Sequence, residues 1–307
     1  LCGIGYDEFA YTMRLFGEGC PMAASPAALR GITKQYKNFT LGPVDMTVPA
    51  GSIVGLIGEN GAGKTTLLKI LCGVNRADDG TVDLLGGSPA DAATRAKIGV
   101  VFEDAFFYGS FTAAQVARSL AGMYGARWNA DSFSAYLRRF GLDAGKKLKE
   151  YSRGMRLKLS LAAALAHDPE LLVLDEATAG LDPVVRGELL DLFLEFIQDE
   201  RHSIVMSSHI TADLEQIADS IAYLHNGQLL FQENKDDLLQ EYGVLHCGED
   251  VLTSLPAGLV VFTRRGAYGC ESLVRERRTV QELLPEAVCD AARLDDIMRF
   301  YSGRDAQ

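Results

Sequence analysis

An eight-residue segment limits what this chain can fold into more than any other stretch does. Residues 58–65 read GENGAGKT, which fits the pattern G-x-x-x-x-G-K-[ST]; an apolar run, 52–57, precedes them and a helical pattern, 66–71, follows. In that order the glycines let backbone N–H groups wrap a phosphate at a helix N-terminus, whose dipole favours an anion. The segment therefore predicts a bound nucleoside triphosphate. A glycine-rich turn without a ligand is disfavoured because strand, loop, Lys, Thr and helix all occur in order.

The side chains that end this segment carry distinct chemistry. The pattern places Lys64 to reach the β- and γ-phosphates and the hydroxyl of Thr65 to bind Mg²⁺. A nucleoside triphosphate with Mg²⁺ is therefore the expected ligand. The other predicted nucleotide contacts are Gly58, Asn60, Gly61 and Gly63 in this segment and Thr66 directly after it.

Composition narrows the choice of partners. With 307 residues the chain exceeds the usual size of one domain, which favours one large α/β domain plus a small appendage. A net charge of −11 disfavours a broad electrostatic grip on nucleic acid, so no nucleic-acid partner is expected. No stretch of the sequence approaches the ~18 apolar residues of a membrane-spanning helix. The six cysteines are scattered without metal-ligand spacing and are expected to be ordinary reduced thiols.

Periodicity divides the chain into parts. Residues 1–27 show neither clean helical nor clean strand periodicity, and we expect a disordered or non-native leader. Residues 28–242 predict an α/β core that starts with antiparallel strands and carries a helical insertion over about 104–167. Residues 243–307 predict a small α+β accessory region, whose arrangement and role stay open.

An acidic pair lies downstream of the glycine-rich loop. The apolar run 171–174 predicts a buried strand, and Asp175 and Glu176 end it. Asp175 would hold Mg²⁺, directly or through water, and Glu176 would polarise the water that attacks the γ-phosphate. A strand-end acidic pair can instead cap a neighbouring helix, but Lys64 upstream favours the catalytic interpretation.

The order of these motifs resembles the ATP-binding subunit of ABC transporters. Residues 151–156, YSRGMR, look like the signature motif, residues 179–182, AGLD, look like the D-loop, and Ser208-His209 look like the switch histidine. Tyr36 matches the aromatic residue that stacks on adenine in this family. The resemblance covers about residues 28–231 and implies a P-loop NTPase core of ABC ATPase type that binds ATP with Mg²⁺.

The resemblance also implies roles in a dimer that sandwiches two ATP molecules. Ser152 and Gly154 of one copy would face the γ-phosphate bound by the other, His209 would contact the γ-phosphate, and Asp182 would communicate across the dimer. Ser152 is also expected to cap the helix that follows it. Simpler interpretations remain at three positions: an ordinary loop tyrosine, a strand-end histidine and a helix-capping aspartate for Tyr36, His209 and Asp182.

Two residues depart from the family pattern. Glu103 stands where the family usually has a Gln that touches Mg²⁺ and the attacking water. A carboxylate can ligate Mg²⁺, but in its ionised form it cannot donate a hydrogen bond. We therefore predict that Glu103 still senses the metal but alters turnover. Met155 stands where many members have Gln, which fits particular exporter branches better than nutrient importers.

The resemblance implies the ATP-hydrolysing subunit of a membrane transporter, similar to bacterial multidrug, peptide or antibiotic exporters of the ABC-2 type. Its partners would be a second nucleotide-binding subunit, identical or paralogous, and a separate transmembrane permease, at the cytoplasmic face of the cell membrane. The aromatic cluster 106–108 either belongs to the permease contact or packs internally. The alternative function is a soluble ABC ATPase with a regulatory or translation-associated role.

Overall fold

Three β-sheets organise the chain. The computed structural model describes residues 25–102, 107–256, 258–266 and 269–302. The first sheet is antiparallel, with strand order β2-β1-β4. Its strands are β1 (Ala27–Tyr36), β2 (Phe39–Val48) and β4 (Asp79–Leu84). The predicted core start at residue 28 thus falls one residue inside β1, and the predicted leader lies almost wholly outside the described residues.

The second sheet forms the centre of the molecule and has six strands. It is parallel apart from its last strand, which returns as an antiparallel hairpin. Its strands are β3 (Ile53–Ile57), β5 (Ile98–Val101), β6 (Leu171–Asp175), β7 (Ser203–Ser207), β8 (Ser220–His225) and β9 (Gln228–Asn234). They lie in the order β5-β6-β7-β3-β8-β9. Every residue of β3, β6 and β7 is buried, as expected for parallel strands covered on both faces.

Two short helices follow the first strands, and three longer ones form the helical insertion. The two are α1 (Lys64–Leu71) and α2 (Ala92–Arg95), and the three are α3 (Ala113–Tyr124), α4 (Ala130–Arg139) and α5 (Arg153–Leu165). Each of the three begins at a polar N-cap whose side chain accepts a backbone N–H: Thr112, Asn129 and Ser152. The insertion has an apolar core of its own, which includes Phe133 and Leu148.

Two further helices precede and follow β7 in the chain. They are α6 (Pro183–Phe196) and α7 (Thr211–Ile217), and both contribute buried side chains to the main core, among them Phe193 and Leu214. Pro183 occupies the first helical turn of α6, where its missing N–H costs nothing.

The third sheet and four helices form a C-terminal lobe. Its strands are β10 (Gly243–Cys247), β11 (Val260–Gly266), β12 (Gly269–Val274) and β13 (Val288–Ala291), in the antiparallel order β11-β12-β10-β13. Its helices are α8 (Lys235–Glu241), α9 (Glu249–Leu252), α10 (Arg277–Leu283) and α11 (Leu294–Ser302). The predicted fold class is confirmed: an α/β core of P-loop type with an antiparallel region, a helical insertion and a C-terminal α+β appendage.

The C-terminal lobe contributes to the main hydrophobic core and also has a smaller apolar cluster of its own, which includes Leu245, Val274 and Val280. Ile297, Phe300 and Tyr301 of α11 belong to the same buried cluster as Leu214 of α7 and Tyr223 of β8. The Glu215 carboxylate on α7 also accepts the backbone N–H of Leu294, 2.8 Å away, at the start of α11. The last helix of the chain is therefore anchored on the helix that follows β7.

The C-terminal lobe is where the sequence predictions were least complete. They gave strands at 259–265 and 272–274 and helices at 279–284 and 294–301, which correspond to β11, β12, α10 and α11. They missed α8, α9, β10 and β13. The equally short β5 and β6 are largely apolar runs, whereas β10 and β13 mix polar and apolar residues over only five and four positions and show no strand pattern.

Within the described residues, no helix combines the length and apolar character needed to cross a lipid bilayer.

Removing the ring of Tyr301 is expected to destabilise the whole molecule. This ring is 8% exposed and lies 5.7, 5.6 and 4.9 Å from the ring centroids of Tyr223, Phe231 and Phe262. In Tyr301→Ala the lost contacts and the cavity should lower the free energy of unfolding by about 3–5 kcal/mol, as measured by urea denaturation.

The matched control is Tyr301→Phe, which keeps the ring and loses only a hydroxyl contact of 3.4 Å with Tyr242. It should change the unfolding free energy by about 1 kcal/mol or less. Equal stability of the two variants would contradict the placement of α11 in the main core.

Candidate nucleotide site

The predicted loop, acidic pair and histidine lie together at the carboxyl ends of three neighbouring strands. The glycine-rich loop follows β3, Asp175 ends β6, and His209 comes two residues after β7. In the strand register, Ser207 of β7 is level with Leu56 on one side and with Asp175 on the other. The carboxyl edge of a parallel sheet is the usual ligand site of such folds.

The loop conformation depends on glycine at two of its positions. Gly63 has a φ of 107°, and a Cβ there would lie 2.8 Å from the Phe39 ring. A Cβ on Gly58 would lie 2.2 Å from the carbonyl oxygen of Leu224. The loop is thus packed on β2 and β8, and its last residue leads directly into α1 at Lys64. Asn60 and Gly61 are exposed at the loop, and Thr66 lies in the first turn of α1.

Lys64 lies at the centre of the site. Its ammonium group donates to the carbonyl oxygens of Gly58, at 2.7 Å, and Glu59, at 3.3 Å. It is also 3.4 Å from a carboxylate oxygen of Glu176, and the side chain is only 6% exposed. The cation is therefore held at the base of the loop by groups from two different strand ends.

Thr65 and Asp175 meet across the site. The Thr65 hydroxyl donates to Oδ2 of Asp175 at 2.8 Å, and Asp175 is 2% exposed. A hydroxyl and a carboxylate are the oxygen ligands that Mg²⁺ prefers, so the donor set fits this metal. The Asp175 carboxylate also contributes to the environment of Cys72: burial, with a smaller contribution from Asp175, raises the pKa of that thiol to about 12, which keeps it neutral.

The backbone of Glu176 has an unfavourable conformation that contacts with neighbouring residues must stabilise. Its φ is 52°, a left-handed value that costs a non-glycine residue about 1–2 kcal/mol. Its backbone N–H donates to the carbonyl and to the hydroxyl oxygen of Ser207, both at 3.1 Å. Its carboxylate accepts from the ring nitrogen Nδ1 of His209 at 2.5 Å and from the backbone N–H of His209 at 3.3 Å. One turn of backbone thus presents the Glu176 carboxylate to both Lys64 and His209.

Tyr36 lies at the end of β1 with an exposed ring. The ring is 43% exposed, lies 6.4 Å from the Phe39 ring, and receives a 3.4 Å contact at its hydroxyl from the Asn75 side chain. Because Phe39 also packs on the loop glycine Gly63, Tyr36 is one ring removed from the loop. The Lys34 ammonium group lies over this ring, 6.0 Å from its centroid.

The signature residues lie at the start of α5. Ser152 is its N-cap, and its hydroxyl accepts the N–H of Met155 at 3.2 Å, which confirms the predicted cap. A Cβ on Gly154 would lie 3.5 Å from the Leu181 side chain, so this helix end is beside the AGLD segment. Asp182 caps α6 through the N–H of Val185. None of the hydrogen bonds or ion pairs among the described residues joins Ser152, Gly154 or Asp182 to the loop of the same chain.

The segment that follows β5 contains a predicted metal ligand and the aromatic cluster 106–108, and the structure describes only part of it. Glu103, the predicted third metal ligand, lies outside the described residues, as does Phe106 of the aromatic cluster. Phe107 packs partly against the core of the helical insertion, whereas Tyr108 is 77% exposed and its ring lies 5.7 Å from the Phe111 ring at a tilt of 54°. The structure therefore supports internal packing for one ring of the cluster and surface exposure for another.

The sequence analysis missed several residues that hold the site together. Ser207 bonds to both Asp175 and Glu176, and Asp213 is 1% exposed while it binds the Thr178 hydroxyl at 2.6 Å and the Arg186 guanidinium. Asp213 thereby ties α7 to α6 and to the segment after Glu176. A signal for Asp213 was present, because it lies on the buried face of α7 beside Leu214 and Ile217.

The chain is similar to known proteins of one family. The sequence profile described as "ABC transporter" matches residues 41–179. The bacitracin transport ATP-binding protein BcrA of Enterococcus faecalis is 36% identical over 212 residues, covering 67% of this chain and 68% of that protein. The lantibiotic transport ATP-binding protein SrtF of Streptococcus pyogenes is 33% identical, covering 68% of this chain and 90% of that protein.

A solved structure described as the ATP-binding subunit of an ABC transporter superposes with a TM-score of 0.64. It is 28% identical and covers 70% of this chain and 92% of its own. The chain spans 58%, 68% and 66% of the length of three of its curated relatives. The chain belongs to the ABC transporter family, among its ATP-binding, ATP-hydrolysing proteins.

Proposed function

We propose that this chain is the ATP-hydrolysing subunit of an ABC exporter that works on a separate membrane permease. The observation that carries the proposal is the contact set at the sheet edge, in which Glu176 touches both Lys64 and His209 while Thr65 touches Asp175. The sheet edge thus brings together a cation, Lys64, a candidate base, Glu176, and two oxygen-bearing side chains suited to a metal, those of Thr65 and Asp175. This is the group of functions that hydrolysis of a γ-phosphate requires.

Nucleotide binding is assigned to the loop and its flanks. The loop backbone and Lys64 would hold the β- and γ-phosphates, because the loop ends on the N-terminus of α1. The exposed ring of Tyr36 would stack on the adenine. Thr65 and Asp175 would hold Mg²⁺, and Glu103 stays a predicted further ligand. Mg²⁺, when bound, supplies charge neutralisation at the phosphates.

Hydrolysis is assigned to Glu176 and His209. The Glu176 side chain is 12% exposed, so its carboxylate is largely shielded from bulk solvent. It would accept the proton of the attacking water, while Lys64 stabilises the developing negative charge. His209, whose side chain is 50% exposed and bonded to Glu176, would hold that carboxylate and contact the γ-phosphate.

A complete site would need a second nucleotide-binding subunit. The α5 N-terminus carries Ser152 and Gly154 beside the AGLD segment, and a thirteen-residue helix presents a positive dipole end suited to an anion. In the chain itself these residues do not bond to the loop among the described contacts. We assign them to the γ-phosphate of a partner subunit, with Asp182 at the same contact.

Coupling to a permease is assigned to the helical insertion. Tyr108, at the base of this insertion, exposes most of its ring and would belong to the permease contact. BcrA and SrtF are named for the transport of bacitracin and of a lantibiotic. An exporter of antibiotic peptides is therefore the substrate class that we favour, with the chain attached to the cytoplasmic face of the membrane through its permease.

Replacing Glu176 by Gln should separate binding from hydrolysis. The amide cannot accept the proton of the attacking water, so ATP turnover should fall by about 100-fold or more while ATP still binds. The trapped nucleotide should stabilise a dimer, which light scattering of the purified protein with ATP would detect.

A matched control is Glu200→Gln, which removes one exposed carboxylate at the opposite edge of the same sheet. It should leave turnover unchanged. A Glu176→Gln protein with wild-type turnover would refute the assignment of the base, and a protein that stays monomeric with ATP would refute the composite site.

Replacing Glu103 by Gln tests the third metal ligand. An amide oxygen binds Mg²⁺ more weakly than a carboxylate, so half-maximal ATPase activity should require more Mg²⁺, and the maximal rate should change. A magnesium titration of the ATPase rate measures both quantities. An unchanged rate and an unchanged Mg²⁺ requirement would place Glu103 outside the site.

A further inference from the structure

Ser207 is a buried serine that touches two site residues at once. It ends β7, is fully buried, and stands level with Asp175 in the parallel pairing of β7 with β6. Its hydroxyl donates to Oδ1 of Asp175 at 2.7 Å and accepts the N–H of Glu176 at 3.1 Å. Its donor and one acceptor position are therefore both used inside the site.

The first contact fixes the orientation of the metal-binding carboxylate. Oδ2 of Asp175 accepts the hydroxyl of Thr65, and Oδ1 accepts the hydroxyl of Ser207. With one donor on each oxygen, rotation of the carboxylate would break both bonds. Loss of the Ser207 hydroxyl would leave Oδ1 without this buried donor and free the carboxylate to turn about Thr65.

The second contact supports the backbone that presents the base. Glu176 has a left-handed φ, which the protein must stabilise through its neighbours. The Ser207 carbonyl and hydroxyl oxygens share its N–H. Because the Glu176 carboxylate reaches Lys64 and His209 from this turn, a shift of the backbone would move it relative to both.

We propose that Ser207 is a positioning residue for ATP hydrolysis, whose hydroxyl aligns the Asp175 carboxylate with the Glu176 backbone. The inference rests on the proposed function, because it assigns metal binding to Asp175 and proton acceptance to Glu176. Ser207 itself touches neither nucleotide nor water in this scheme. If the role of Ser207 were purely structural, its buried hydroxyl would need only some hydrogen-bond partner, and turnover would not depend on which groups it contacts.

The chain offers a matched control on the same strand. Ser203 is the first residue of β7, is also fully buried, and accepts the N–H of Gly51 at 3.1 Å at the opposite edge of the sheet. Each of the variants Ser203→Ala and Ser207→Ala therefore removes one buried serine hydroxyl, at the first and at the last residue of the same strand. Only the second removal reaches the site.

The test compares turnover, metal binding and stability in these two variants. In Ser207→Ala, kcat should fall by about 10- to 100-fold, as is typical when a partner of a metal ligand is removed. The affinity for Mn²⁺, titrated in the presence of a non-hydrolysable ATP analogue, should fall by a similar factor. The affinity for the nucleotide without metal should stay unchanged. Ser203→Ala should keep wild-type kcat and Mn²⁺ affinity.

Ser207→Cys guards against a folding defect. The thiol keeps a donor at this position, although sulfur is larger than oxygen and donates more weakly, so its kcat and Mn²⁺ affinity should lie between those of wild type and Ser207→Ala. Melting temperatures report whether the variants are folded. Equal losses in Ser203→Ala and Ser207→Ala, or wild-type kcat and Mn²⁺ affinity in a folded Ser207→Ala, would overturn the proposal.

The same series separates this proposal from the proposed function. If Glu176→Gln abolishes turnover while Ser207→Ala behaves as wild type, only the role of Ser207 fails. If Glu176→Gln retains full turnover, the assignment of the base fails, and the Ser207 proposal fails with it.

Discussion

The site depends on the parallel pairing of three strands, β6, β7 and β3, whose carboxyl ends are level. Leu56, Ser207 and Asp175 lie side by side in this register. A slip of one residue would turn Ser207 to the other face and remove the bonds to Asp175 and Glu176. Strands buried on both faces resist such a slip because each of their side chains packs in a core. The apolar runs that the sequence predicts as ordinary core strands therefore also set the relative positions of the site residues at their carboxyl ends.

Electrostatics at this edge follow from the same pairing. One cation, Lys64, lies near one carboxylate, Glu176, and both side chains are largely buried. Asp175 has hydroxyl partners on both oxygens. These groups compensate one another at short range, so burial of several charged groups is tolerated in a region that the sheet and the loop shield from solvent. The buried Asp213 carboxylate is compensated in the same way, since it is paired with Arg186 and Thr178.

The parts of the site that the sequence predicted are those with local signals. The loop, Asp175, Glu176 and His209 each stand at the end of an apolar run, and Ser152 stands before a helical one. The roles of Ser207 and Asp213 depend on contacts between residues 27 to 35 positions apart. A single sequence does not reveal such pairings, although a serine that ends a strand beside Asp175 becomes recognisable once the strand order is known. The short strands β10 and β13 were missed because their positions are set by pairing with other strands of the C-terminal lobe, and the sequence does not show that pairing.

The anchoring of α11 on α7 has a consequence for how the chain unfolds. Leu214 and Ile217 of α7 pack in one cluster with Ile297 and Phe300 of α11. Detaching the C-terminal lobe would open that cluster to water along the helix that begins two residues after His209. Because the lobe and the nucleotide-binding core share this cluster, and the lobe's own apolar cluster is small, they are expected to lose structure in a single cooperative transition instead of as two independently melting units.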